Sequence, residues 1–186
     1  MTSSVSVALL HDQMVDKNEK LVTTSVTLID IHDISRSSRT YGMHDFFIVH
    51  PAETVRNLVK KLTNHWEEGF GATYNPNRKD ALECTRVVPD LDQAIAAIET
   101  RTGVRPKLVA TSARGGDDRI SSKKLIEFMT ADTTPYLIMF GTGWGMSPQL
   151  LARADYILEP INGPTPYNHL SVRSAVAIVL DRLFGV

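Results

Sequence analysis

Residues 136–174 hold the densest set of groups able to bind a ligand. The apolar run Tyr136 to Phe140 ends in Gly141-Thr142-Gly143-Trp144-Gly145-Met146. The run Tyr156-Ile157-Leu158 ends in Glu159-Pro160-Ile161-Asn162-Gly163, and Tyr167-Asn168-His169 then opens a long apolar helix. Strand ends that release loops with little side-chain bulk expose backbone N–H and C=O groups, and a helix N-terminus adds donors. The chemistry implied is recognition of a small polar ligand. A dinucleotide fingerprint is rejected. GxGxxG would need glycine at 146, where Met146 stands, and the chain after the acidic candidate Glu159 is too short to finish a nicotinamide domain.

A third such segment, Thr111-Ser112-Ala113-Arg114-Gly115-Gly116-Asp117-Asp118, follows the apolar run Lys107 to Thr111. Elsewhere the groups able to act on a substrate are Asp30, Arg36 and Arg39 on one helical stretch, and the histidines His32 and His169, a residue type that titrates near neutral pH. Each has a plain structural alternative: a helix cap for Asp30, a surface arginine for Arg36, a packed ring for either histidine.

Composition narrows the field. A length of 186 residues predicts one domain over 1–186, or one with a small excursion, and the formal charge of −1 means that any nucleic-acid contact must come from a local patch. Cys84 is the single cysteine, which excludes an internal disulfide and a multi-cysteine zinc site; no metal is expected. No stretch reaches the roughly 18–20 apolar residues of a membrane span. MTSSVSVALLHD lacks the basic start and the length of a signal peptide, so the expectation is a cytoplasmic protein with no membrane partner.

The elements that must position these groups alternate between strand and helix. Val5 to Leu10, Phe46 to Val49, Thr85 to Val88, Lys107 to Thr111, Tyr136 to Phe140 and Tyr156 to Leu158 read as strands, with Thr23 to Ile29 either strand or packed loop. Between them the pattern predicts a helix from Asp30, as cap, to about Tyr41, with Gly42 beyond its end. It predicts an amphipathic helix over 52–67 on Val55, Leu58, Val59, Leu62 and Trp66, whose other face carries Arg56 and Lys60. Asp90 caps a helix that Gly103 stops, Ser121 or Ser122 starts a short one, and His169 to Phe184 forms the last, with Val172, Val176, Val179 and Leu183 in one stripe. Residues 69–80 read as a loop carrying Arg78 and Lys79. The fold class is α/β: a parallel sheet in a three-layer sandwich, with the loops at 111–116, 141–146 and 160–163 on its carboxyl edge, where open sheets of this kind bind ligands.

The order and content of these loops resemble the SPOUT superfamily of S-adenosylmethionine-dependent RNA methyltransferases. Its ribose-methylating branch carries Asn, Arg and Gly at six-residue spacings. Asp30, Arg36 and Gly42 have those spacings, with Asp in place of Asn. FGTGWGMS resembles the second motif, one residue shorter and without its Glu. Pro160-Ile161 and His169-Leu170-Ser171-Val172-Arg173 match the third in layout, with His169 and Ser171 as departures. LIDIHDISR together with Thr111-Ser112-Ala113-Arg114 looks like a bacterial branch sometimes fused to a guanine-N1 tRNA methyltransferase.

The resemblance implies a C-terminal trefoil knot, a homodimer, S-adenosylmethionine as cofactor and tRNA or rRNA as substrate. Cofactor-binding residues would be Thr111, Ser112, Ala113, Arg114, Gly115, Gly141, Gly143, Gly145, Ile161, Leu170 and Ser171. Arg36 and Asp30 would be the catalytic residues, and Arg36 and Arg39 the RNA contacts. Arg36 serves equally as a phosphate clamp, since a guanidinium is a poor base. Trp144 either walls the pocket or packs against a partner subunit, and the last helix is either core or interface. Two classes of function stand side by side: an active RNA methyltransferase, and a cofactor-binding or interaction module that has lost catalysis.

Overall fold

A computed structural model describes residues 4–67 and 76–186. In chain order the elements are β1 (Val5–Leu10), β2 (Met14–Val15), β3 (Leu21–Val22), α1 (Leu28–Thr40), β4 (Phe46–Val49), α2 (Glu53–Glu67) and α3 (Pro76–Leu82). They continue with β5 (Thr85–Val88), α4 (Leu91–Thr102), β6 (Lys107–Ala110), β7 (Arg119–Ile120) and α5 (Ser122–Ala131). The last are β8 (Tyr136–Gly141), α6 (Pro148–Leu151), β9 (Tyr156–Leu158) and α7 (Val172–Phe184).

Seven strands form one sheet in the order β5-β4-β1-β8-β6-β9-β7, and every pairing within it is parallel. All six residues of β1 are buried, as the almost unbroken apolar run predicts for a central strand covered on both faces. Alternation then sorts its side chains. Val5, Val7 and Leu9 join Ile31 and Ile34 of α1, Val59 of α2, Leu82 of α3, Leu125 of α5 and Val176, Leu180 and Leu183 of α7 in one core. Ala8 and Leu10 face the other way, toward Leu91, Ala94, Ile95 and Ile98 of α4 and Leu150 of α6. The sandwich has three layers.

Helix ends follow local chemistry, with two corrections to the sequence reading. Asp90 caps α4 by accepting from Gln93 N at 2.8 Å, and Gly103 closes it in the left-handed region at φ 75. The first helix begins at Leu28, not at Asp30. Extended Thr27 occupies the N-cap position, and its hydroxyl donates to the Asp30 carboxylate one turn inside the helix. The last helix begins at Val172 rather than His169, because Ser171 adopts the extended cap conformation and its Oγ accepts from Ser174 N at 3.3 Å. Part of the expected 69–80 loop is helical, since α3 starts at Pro76, a favoured first-turn residue; 69–75 lie outside the described residues. Leu58, assigned to the buried stripe of α2, is 57% exposed.

The carboxyl edge of the sheet is tied by a chain of hydroxyls. Thr142 Oγ1 donates to Leu10 O at 2.9 Å, and Thr24 Oγ1 donates in turn to Thr142 Oγ1. Thr24 Oγ1 must then accept from Nδ1 of His11, 3.0 Å away, which fixes the ring as the Nδ1–H tautomer. His11 is fully buried, its Nε2 has no partner, and its ring centroid lies 5.7 Å from that of His50. His50 Nε2 donates to Thr24 O at 3.2 Å. Burial first, and the neighbouring His50 second, push the His11 pKa down to about 4, with Asp30 opposing weakly.

A folded value below the unfolded 6.5 means that the unfolded chain takes up the proton first as pH falls. Stability is therefore complete above about pH 6.5 and is lost between there and pH 4, by about 3 kcal/mol at most for this group. Denaturant titrations across that window are expected to show the loss in the wild type. In His11→Asn, whose amide can replace the Nδ1 donor but does not titrate, the slope should flatten; an unchanged slope would refute the assignment.

Candidate functional site

Strands β8, β6 and β9 are neighbours in the sheet, so the three loops singled out in the sequence leave from adjacent points on one edge. Between them lies a cleft of about 1100 Å³. That is ample for a ligand of a few hundred daltons.

The floor is the end of β8. An added Cβ on Gly141 would sit 3.0 Å from Met146 Cγ, 3.2 Å from Met146 N and 3.3 Å from Met14 Sδ, so the returning chain packs closely on a residue without a side chain. Gly143 has φ +61 and would bring a Cβ to 3.1 Å from Thr24 Cγ2. The hairpin β2–β3 closes one side by pairing its backbone with this loop: Val15 N donates to Gly145 O at 2.9 Å, and Ser147 N to Gln13 O at 2.9 Å. The opposite wall is the segment after β9. Asn168 Nδ2 donates to Ala113 O at 3.0 Å, which joins that segment to the loop after β6. Thr111 anchors its own loop through Oγ1 to Met139 O at 2.9 Å.

Thr111, Ser112, Ala113, Arg114, Gly141, Gly143, Gly145, Ile161, Leu170 and Ser171 all line the cleft, and Gly115 does not. Ser171 is also the cap of α7. Trp144 lines the same cavity and is 59% exposed. His169 is a lining residue too.

The residues on α1 divide. Asp30 is buried at the cleft wall with both carboxylate oxygens engaged, one by the Thr27 hydroxyl and the other by Arg173 Nη1 at 3.1 Å. Arg36 lies outside the cleft, in an open groove of about 460 Å³ between α1 and α7 that Asp33, Tyr41 and Arg173 share. Arg173 Nε reaches Asp33 at 3.4 Å. Arg39 lines neither cavity and pairs with Asp80 at 2.7 Å on the surface. His32 packs edge-on against Trp66 at 5.7 Å, and its pKa is lowered by burial and then by Arg78, with Arg36 a smaller cause and Asp33 opposing.

Sequence reasoning missed the hairpin, whose two-residue strands are too short for any periodicity, although Leu21-Val22 and Met14-Val15 flank a polar turn. It also missed Thr24 and Arg119 as lining residues, and it gave no binding role to Glu159, which lines the cleft as well. Among the described residues no helix is long and apolar enough to cross a membrane, and no group of three or more His, Cys, Asp or Glu could hold a metal ion.

Comparison with known proteins adds an independent line. A tRNA (guanine-N(1)-)-methyltransferase of Oleidesulfovibrio alaskensis is 44% identical over 178 residues, which cover 96% of this chain and 41% of that protein. The chain thus spans about two fifths of that relative. An Aquifex aeolicus protein described only as uncharacterized is 41% identical over 185 residues, covering 100% of this chain and 90% of its own length. Among solved structures, the SpoU methyltransferase AviRb of Streptomyces viridochromogenes, in complex with the cofactor AdoMet, superposes with a TM-score of 0.60 at 17% identity, over 99% of this chain and 58% of that one. The fold is therefore one that methyltransferases of this kind share. A family model described as SAM-dependent RNA methyltransferase matches residues 4–185, from the first strand through the last helix, and the chain belongs to that family.

Proposed function

We propose that this chain transfers a methyl group from S-adenosylmethionine to a base or ribose of tRNA or rRNA. The observation that carries the reading is the cleft: adjacent parallel strands release three loops around one cavity, and its floor is kept free of side chains by glycines with close or left-handed geometry. The cofactor of the family brings its methyl group already activated as a sulfonium. The protein has only to bind, align the acceptor and handle a proton.

Backbone at Gly141, Gly143 and Gly145 allows a ligand to approach closely, and Ile161 and Leu170 offer apolar wall for an adenine. Arg36, exposed in the neighbouring groove, is suited to hold an RNA phosphate or the acceptor hydroxyl. Asp30 serves first to hold α1 against α7, since both its oxygens are engaged; as a base it would have to release Arg173. Arg39 remains a candidate phosphate contact once freed from Asp80. Exposed Leu28 and Ile29 at the start of α1 and Leu170 just before α7 support a homodimer across these two elements. The trefoil knot is the form of the chain path we infer in residues 136–174, and an RNA substrate implies a cytoplasmic location.

Calorimetry with S-adenosylmethionine and its demethylated product should give saturable heat, and no heat at millimolar ligand would overturn the reading. Gly143→Val should abolish binding, because a branched side chain is strained at φ +61 and meets Thr24. Arg36→Ala should leave melting and cofactor affinity almost unchanged and lower methyl transfer to RNA by at least ~10²-fold. Arg36→Lys should restore little of it, because one ammonium lacks the planar fork; normal transfer in Arg36→Ala would remove Arg36 from the site. Light scattering should report a dimer, and a monomer mass across micromolar concentrations would exclude the interface.

A further inference from the structure

Arg119 is unaccounted for by the motifs or by the core. It sits on the edge strand β7 and lines the cleft, with only 12% of its side chain exposed. Its Nε and Nη1 are buried without a hydrogen-bond partner. The anion nearest to it is Asp118, 3.4 Å from Nη1 and 68% exposed, a contact too long for a good hydrogen bond and one that contributes little at the surface. A buried guanidinium left in this state is costly, because its donors have lost water and gained nothing. A ligand carboxylate that displaced Asp118 into solvent would satisfy the planar fork.

A second charge stands beside it. β7 pairs with β9 in the register Arg119 to Ile157 and Ile120 to Leu158, and Glu159 N donates to Ile120 O at 2.9 Å. Glu159 is two residues beyond Ile157, so its side chain leaves the same face as that of Arg119, and both line the cleft. A cation and an anion side by side on one wall match a zwitterion. We propose that Arg119 and Glu159 hold the α-amino-acid end of the cofactor, Arg119 taking the carboxylate and Glu159 the ammonium group. This rests on the cleft being the cofactor site, and it assigns an orientation within it: the amino-acid end toward β7, away from the groove that holds Arg36.

The test compares two ligands by calorimetry on the full chain. S-adenosylhomocysteine carries the amino-acid end, and 5′-methylthioadenosine lacks it. Arg119→Met keeps the apolar stem, and Glu159→Gln keeps the shape. Each should weaken S-adenosylhomocysteine roughly 10- to 100-fold and leave 5′-methylthioadenosine within about twofold of the wild type. Arg119→Lys should recover part of the loss. Equal weakening of both ligands, or unchanged affinity for S-adenosylhomocysteine, would overturn the assignment. So would a variant that keeps this affinity and loses RNA binding instead. If the wild type binds neither ligand, the cofactor-site reading falls as well, an outcome distinct from failure of Arg119 alone.

Discussion

The site depends on a central strand that ends without a side chain. β8 runs between β1 and β6, buried on both faces, and at Gly141 its space is taken by Met146 and Met14. A Cβ there would crowd the returning loop, which the hairpin β2–β3 holds through the backbone pairs it makes with Gly145 and Trp144. The hydroxyl chain from His11 through Thr24 and Thr142 to Leu10 then locks the same point from the other side. Polar groups that would be costly unpaired in such a buried place are almost all satisfied by one another. The exception is Nε2 of His11, in a ring that burial and the neighbouring His50 keep neutral.

Much of this was legible in the sequence, for identifiable reasons. Strands buried on both faces read as almost unbroken apolar runs, and Val5 to Leu10 and Phe46 to Val49 appear with the expected bounds. The Asp90 cap and the Gly103 stop are local chemistry and need no tertiary context. The three loops that line the cleft follow from strand ends, and β8, β6 and β9, which release them, are neighbours in the sheet.

What the sequence did not reveal depends on partners far along the chain. Asp30 looks like a cap because Asp favours that position. In the fold a threonine three residues earlier takes it, and Asp30 is used by Arg173, 143 residues away. His169 looked like a helix start because the apolar pattern is near, but a serine cap two residues later fits the backbone better. The hairpin is held by pairing with a loop more than a hundred residues further on, so no local pattern encodes it. Arg119 is invisible to motif reasoning because its meaning is burial of donors without a hydrogen-bond partner, which only three-dimensional packing creates.

The seam between α1 and α7 shows how a chain with almost no net charge can still concentrate charge where it is needed. Arg173 contacts Asp30 on the cleft side and Asp33 on the groove side, so one cation offsets two carboxylates across the seam. Without it, Asp30 would be a buried carboxylate with only the Thr27 hydroxyl, and like charges would crowd the first turns of α1. With it, half of that negative charge is offset locally, and Arg36, one turn beyond Asp33, stays exposed without an ion pair among the described residues. The cleft lies on one side of this seam and the open groove on the other. Helix α1, held through its own acids, thus presents an exposed cation in the groove on the far side of the seam from the cleft.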